Sequence, residues 1–313
     1  MALTLALFEK IGALSVLILL GFLAVRCKVM HFEDSKVLSQ FALYFLTPCA
    51  MLQAFQYEFS MSKLTGMGIA LLGSLITVVV FALLSKGLTR LFHLSPVDYT
   101  SLEYPNAGNF MLPLIASAMG GEWVIYCSAC FLVMNIFMFS HGKSVLSGVK
   151  GFHWEMLYKN VVVLAIAAGF LMFLFNWQIP GFLGTAVASM GDMMGPTYMF
   201  TIGMIIGNAD LKQIFFSRRA WGLTLGRLVL YPLAVMVVLC LSGIFRIHQD
   251  AARIMLIVVL TAGAPAAVMV TQFTQLYRNR EEAEFASAVN ILSTILCLGT
   301  MPCLAYIYQA IAF

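Results

Sequence analysis

The sequence predicts an all-α membrane protein whose ten transmembrane helices form two inverted five-helix repeats. Three observations carry that expectation: apolar runs long enough to cross a bilayer, Lys and Arg that alternate between sides, and helix-breaking prolines about half a chain apart. Hydrophobic residues make up 61% of the 313 and charged residues only 10%, with a mean hydropathy of +0.93. A soluble domain needs about a quarter charged residues to hydrate its exterior. The net charge of +4 is informative through its placement in loops, and no nucleic-acid partner is expected.

A hydrocarbon core about 30 Å thick takes about 20 residues of helix. The first apolar run, 7–25, lacks a basic leader and a cleavage site, so it reads as a retained helix. Runs at 35–55, 64–85, 97–119 and 123–140 complete the first repeat, residues 1–140. The second repeat, 158–313, carries runs at 158–175, 182–207, 221–245, 251–277 and 284–311. Between them, 141–157 is expected as a cytoplasmic linker. Its His141, Lys143, Lys150, His153 and Trp154 suit an interfacial segment as well as they suit a plain loop.

Basic residues orient these runs. Arg26, Lys28 and Lys36 fall on one side, as do Lys86 and Arg90, then Lys143, Lys150 and Lys159, then Lys212, Arg218 and Arg219, and finally Arg278 and Arg280. Only Lys10, Lys63, Arg246 and Arg253 fall opposite. The positive-inside rule makes the basic side cytoplasmic and both termini extracytoplasmic, in a plasma or bacterial inner membrane.

Pro48 in the second run and Pro196 in the seventh are 148 residues apart. Pro113 in the fourth and Pro265 in the ninth are 152 apart, accompanied by Pro105, Gly108 and Gly263. One transmembrane proline is common. Breaks that recur at a matching offset point to inverted repeats, whose interrupted helices meet at the substrate site of secondary transporters.

The segment Glu103-Tyr104-Pro105-Asn106-Ala107-Gly108-Asn109-Phe110-Met111-Leu112-Pro113 concentrates these features. Each proline lacks an amide hydrogen and frees a carbonyl upstream. Asn106 and Asn109 bring amides that donate and accept. With freed backbone amides they would hold a carboxylate; the alternative is hydrogen bonding between neighbouring helices. Glu103, about one turn before Asn106, is expected to share its cavity and is a candidate proton carrier; the alternatives are reaching cytoplasmic water or pairing with a loop Lys. Asp192 and Arg227 are the other charges inside expected spans. Arg227 is expected to snorkel to the cytoplasmic surface, and Asp192 to serve at a rim or in packing. Gln272 and Asn290 fit either a pocket or interhelical packing. Cys127 and Cys130 form an isolated CxxC in an apolar run and read as packing residues. No carboxylate cluster suggests a metal, no Ser/His/Asp grouping suggests catalysis, and no cofactor is expected.

Tyr104-Pro105-Asn106, Gly108-Asn109, Leu112-Pro113-Leu114 and Met119-Gly120 resemble the fourth-helix signature of the auxin efflux carrier family, whose plant members are the PIN exporters. Gly195-Pro196-Thr197 with Ile202-Gly203 resembles its seventh helix. Ala264-Pro265-Ala266, Gln275-Leu276-Tyr277 and Ala286-Ser287 resemble its ninth and tenth. The resemblance, to a short bacterial-type member, covers the whole chain. It implies a fold related to bile-acid symporters and sodium/proton antiporters, with broken helices four and nine crossing. It implies a dimerising scaffold of helices one, two, six and seven and an elevator-like transport domain of helices three to five and eight to ten. Asn106 would contact a substrate carboxylate, Asn135 would line the pocket and Pro265 would shape the crossing, with no obligatory sodium ion. Two residues depart from the pattern: Met111 stands where Gly is frequent, and Glu103 where a small residue is usual.

The expected function is alternating-access transport of a small organic anion such as a dicarboxylate or an indole- or aryl-carboxylate. The alternative is a membrane-embedded sensor that binds such a ligand without moving it, disfavoured because the sequence carries no soluble signalling segment.

Overall fold

The structure, a computed structural model, describes residues 2–149, 151, 155, 158–244 and 248–312. The linker residues Lys150, His153 and Trp154, the loop residue Arg246 and the end of the eighth expected span at 245 lie outside them. The described chain runs through α1 (Ala2–Arg26), α2 (Asp34–Ala54), α3 (Met61–Phe92), α4a (Pro96–Glu103), α4b (Ala107–Ala118) and α5 (Gly121–Ser147). It continues through α6 (Val161–Leu174), α7a (Gly181–Asp192), α7b (Met194–Asn208), a short helix Leu211–Phe216, α8 (Arg218–Ser242), α9a (Ala251–Ala262), α9b (Val268–Tyr277) and α10 (Arg280–Ala312). No strand occurs among the described residues. Helices α2, α3, α5, α8 and α10 are long and apolar enough to cross a membrane by length and composition.

Helix starts follow local chemistry. The Ser60 side chain accepts from the Lys63 amide at the start of α3, and Asn160 accepts from the Val162 and Val163 amides at the start of α6. Ser95 and Asp98 form a reciprocal capping box around Pro96 at the start of α4a. Helix α5 continues to Ser147, so residues 141–147 of the expected linker are helical. Its last turns are assigned to the helix by backbone hydrogen bonds that composition does not reveal.

Six of the nine prolines act in three ways. Pro48, Pro113 and Pro232 each follow a π-helical turn, at Ala42–Leu46, Ala107–Met111 and Gly226–Leu230. The wider turn absorbs the missing amide hydrogen, so α2, α4b and α8 run through these positions. Pro196 has no amide to offer the Asp192 carbonyl, and α7 is interrupted at Met193, between α7a and α7b. Pro105 and Pro265 stand in the gaps between half-helices, where the chain leaves the helix altogether.

Helix α1 packs along α7b at backbone contact. A Cβ on Gly21 would lie 2.0 Å from the Phe200 carbonyl oxygen, and one on Gly203 would lie 2.0 Å from that of Ile18. Glycine alone permits this approach. Helix α2 packs on α6 and α7a, while α3 packs on α5, α8 and α9a, and α10 packs on α8 and α9b. Helix α4b touches α1 and α7b as well as α5, and so lies between these two sets.

Candidate functional site

Two helix interruptions meet and hydrogen-bond across each other. Tyr104 is extended (φ −105°, ψ 113°) where α4a ends, and Pro105 forms an antiparallel bridge with Ala266. The Ala267 amide donates to the Tyr104 carbonyl at 2.9 Å, and the Asn106 amide donates to the Pro265 carbonyl at 2.8 Å. Backbone groups that have left a helix inside a low-dielectric core need such partners. Helix α10 braces the crossing: Asn290 Nδ2 donates to the Ala266 carbonyl, and the Ala266 amide donates to Ser293 Oγ at 3.0 Å. Asn290 is thereby committed to the crossing.

The same rearrangement explains Arg227. In a continuous helix the Asn106 amide would serve the Leu102 carbonyl; here it serves Pro265, and Arg227 Nη1 donates to Leu102 instead, at 3.1 Å. The guanidinium sits 4.9 Å from the centre of the Phe81 ring and is 0% exposed. The expectation that Arg227 snorkels to the surface is therefore overturned. A released carbonyl and an aromatic face hold it inside the protein.

Beside the crossing lies a cavity of about 270 Å³. Asn106, Asn109, Asn135 and Gln272 all line it, as do Pro105 and Gly108. Further lining comes from Asn160 before α6, Thr47 in α2 and Tyr198 in α7b. Sequence reasoning missed these three, although Thr47 and Tyr198 each lie within four residues of a noted proline. The Thr47 and Tyr198 hydroxyls share a hydrogen bond of 3.0 Å. Phe131, Met134, Met138, Phe139 and Met269 form an apolar wall, and no charged residue among those described lines the cavity.

Two helices present their N-termini here, α4b through Ala107, Gly108 and Asn109, and α9b through Ala267, Val268 and Met269. Asn106 Oδ1 accepts from the Asn109 amide at 3.2 Å and so caps α4b; its side-chain NH₂ has no hydrogen bond among the described residues. Asn135 Nδ2 donates to the Phe131 carbonyl at 2.9 Å, leaving its Oδ1 as the polar group. The site thus gathers two positive helix ends and several neutral amides, an environment that favours an anion without a buried cation.

Other expected site residues lie elsewhere. Gly108 and Pro113 take no part in the crossing. Gly108 lies in the π turn, where a Cβ would come within 2.7 Å of the Phe131 ring, and Pro113 packs toward Gly195 of α7b. Gly263 ends α9a and precedes the bridged residues. Glu103 is 4% exposed yet does not line the cavity, contrary to the expectation that it shares one with Asn106; the break at Tyr104 turns it toward His141. Asp192 accepts from Gln53 Nε2 at 3.2 Å on the protein surface, which joins α7a to α2.

One Ser/His/Asp grouping does occur. Ser62 Oγ lies 2.8 Å from His248 Nε2, but the Asp250 backbone amide donates to His248 Nδ1 at 3.1 Å. That bond puts the ring proton of neutral His248 on Nε2, so the imidazole cannot take a proton from Ser62. No group of three or more His, Cys, Asp or Glu suited to a metal occurs among the described residues.

Long apolar helices and an amide-lined cavity at crossed half-helices are features of a multi-pass membrane protein. The chain matches the family model described as membrane transport protein over residues 6–151 and 147–305, and it belongs to that family, the auxin efflux carrier and PIN-like group that the Tyr104–Pro113 motif resembles. This is a family of transporters rather than enzymes. No curated protein matches the chain.

Proposed function

We propose that this protein is a secondary transporter that moves a small organic anion by alternating access, with the anion held at the crossing of the fourth and ninth helices. The carrying observation is the convergence of two helix N-termini and the amides of Asn106, Asn109, Asn135 and Gln272 on a cavity that no charged side chain among the described residues lines. A carboxylate gains hydrogen bonds from the Asn106 NH₂ group and two favourable dipoles there, whereas a cation meets the positive ends of both dipoles. The volume of about 270 Å³ lies near the lower end of small-molecule sites. The phenylalanine and methionine wall suits an aryl- or alkyl-carboxylate.

In this reading there are ten spans in two inverted repeats. Helices one, two, six and seven form a scaffold that pairs as a homodimer, and helices three to five and eight to ten move as an elevator. The glycine-sealed contact of α1 with α7b supports a fixed scaffold. The protein resides in the plasma or inner membrane with both termini extracytoplasmic. Membrane potential then favours anion exit by about 2.3 kcal/mol per charge per 100 mV.

Purified protein in liposomes tests this reading. It is expected to move radiolabelled aryl- and alkyl-carboxylates, and Asn106→Ala is expected to suppress that flux. Saturable binding with no flux for any acid of the panel would overturn transport in favour of a ligand sensor. Cysteine cross-links between α4b and α7b that trap one conformation would arrest an elevator, whereas undiminished flux would refute it.

A further inference from the structure

Next to the crossing, but outside the cavity, is a buried acid connected to the surface by a histidine. Glu103 ends α4a, and its Oε1 lies 3.8 Å from His141 Nδ1 of α5. The side chain of Glu103 is 5% exposed and that of His141 is 44% exposed. The same Nδ1 lies 2.7 Å from the Tyr104 hydroxyl. Tyr104 lines the cavity, and its carbonyl accepts from the Ala267 amide in the crossing. A continuous set of contacts therefore runs from water through His141 to Glu103 and, through Tyr104, to the crossed backbone. Glu103 Oε2 is buried with no hydrogen-bond partner among the described residues, and Glu103 makes no ion pair there except with His141.

Resting on the transport reading above, we propose that Glu103 and His141 form a proton-carrying pair that couples proton movement to anion movement, with His141 facing the water and Tyr104 linking the pair to the crossing. In neutral His141 with its proton on Nε2, Nδ1 accepts from the Tyr104 hydroxyl. A proton from water converts His141 to imidazolium, whose Nδ1–H can no longer accept. It turns from Tyr104 toward Glu103 Oε1. The N–H bond then breaks as an O–H bond forms on Glu103, leaving a neutral imidazole and a neutral carboxyl. The Tyr104 hydroxyl donates to Nδ1 again. After the site turns to the other side, the Glu103 O–H bond breaks and the proton returns through His141 to water there, restoring the carboxylate. Each such cycle moves the Tyr104 side chain, whose backbone is bonded into the crossing.

The surrounding groups leave the pair to this role. Tyr99 of α4a lies beside Glu103 and meets the His141 ring edge-on at 5.6 Å between centroids. Tyr231 of α8 is held by Ser85 of α3 at 2.7 Å. Arg227 gives Nη1 to the Leu102 carbonyl, its Nε and Nη2 have no hydrogen-bond partner among the described residues, and it forms no ion pair with Glu103 there. Lys143 of α5 lies 5.9 Å from the Tyr277 ring of α9b, and Arg278 donates to the Leu146 carbonyl. Asp98 is engaged by Arg219, and Glu281, Glu282 and Glu284 of α10 line a separate cavity beside Arg219.

The test uses the intact protein in liposomes containing a pH-sensitive dye, with the carboxylate panel outside. With one proton per anion, an imposed gradient of one pH unit raises the accumulated anion ratio about tenfold, and the lumen acidifies with uptake. Glu103→Gln is expected to lose both effects while still exchanging anion, and His141→Gln to slow lumenal acidification and shift the pH profile. Anion flux without acidification in the wild type, or unchanged acidification and pH profiles in both variants, would overturn the pair. Infrared pH titration of the purified protein reads the carboxyl without transport. Its protonated carbonyl band should vanish in Glu103→Gln and titrate at a different pH in His141→Gln, and the same band in all three proteins overturns the proposal. Absence of any anion flux, with the infrared result as expected, would instead remove the transport reading.

Discussion

In the transport reading proposed above, Asn106 performs two jobs with one amide, and three substitutions separate them. Its Oδ1 accepts from the Asn109 amide at 3.2 Å and caps α4b, while its NH₂ group is left for the cavity. Asn106→Ala removes both. Loss of the cap costs about 0.5–2 kcal/mol of stability. Loss of a hydrogen bond to a charged carboxylate costs about 1.5–3 kcal/mol of binding, or about 10- to 150-fold in substrate affinity. Asn106→Ser keeps a good cap but is too short to reach the ligand, so the melting temperature should hold while affinity falls. Asn106→Asp also caps well, but sets a carboxylate against the substrate's. Two like charges about 4 Å apart repel by about 4 kcal/mol at an effective dielectric constant of about 20, so Asp should weaken binding more than Ala does. The assays are thermal melting in detergent and concentration-dependent uptake into liposomes. Asn106→Asp with wild-type apparent affinity, or one that melts as low as Asn106→Ala, would refute this division of roles.

Other expectations follow from particular contacts. Gly203→Val should lower the yield of folded protein and cost about 1–3 kcal/mol or more, because its Cβ would sit 2.0 Å from the Ile18 carbonyl oxygen; size-exclusion chromatography and melting report it. Arg219→Ala breaks a two-pronged contact with buried Asp98, at 3.0 and 2.7 Å, and should cost about 1–3 kcal/mol in melting experiments, with Arg219→Lys recovering only part. Tyr198→Phe leaves Thr47 Oγ1 bonded to the Ala42 carbonyl alone and should lower stability by about 0.5–1.5 kcal/mol. A larger drop in uptake than in stability would put the Tyr198 hydroxyl in contact with the substrate.

The sequence by itself determined the class of protein and where to look. The length and apolarity of its runs are one-dimensional properties, and a low-dielectric solvent that forbids unpaired backbone leaves helices as the way to satisfy them. The concentration of Pro105, Asn106, Gly108 and Asn109 in one apolar run likewise marked the cavity, because missing amide hydrogens and extra amides are written in residue identity.

What each proline does was decided by tertiary structure. Pro105 and Pro265 lie where two helix breaks meet, joined by the Asn106 amide to the Pro265 carbonyl and the Ala267 amide to the Tyr104 carbonyl. Pro48 and Pro113 are absorbed by π turns within continuous helices. Thr47, Tyr198 and Asn160 join the cavity only because α2, α7b and the start of α6 are folded against it. Arg227 could not be read correctly from its depth in an apolar run, since its partner is a carbonyl released 125 residues away. Glu103 is turned from the cavity toward His141 by the break that follows it. A sequence fixes which backbone groups cannot pair locally, but the partners they find are distant in the chain, and those pairings set the direction of every side chain around the site.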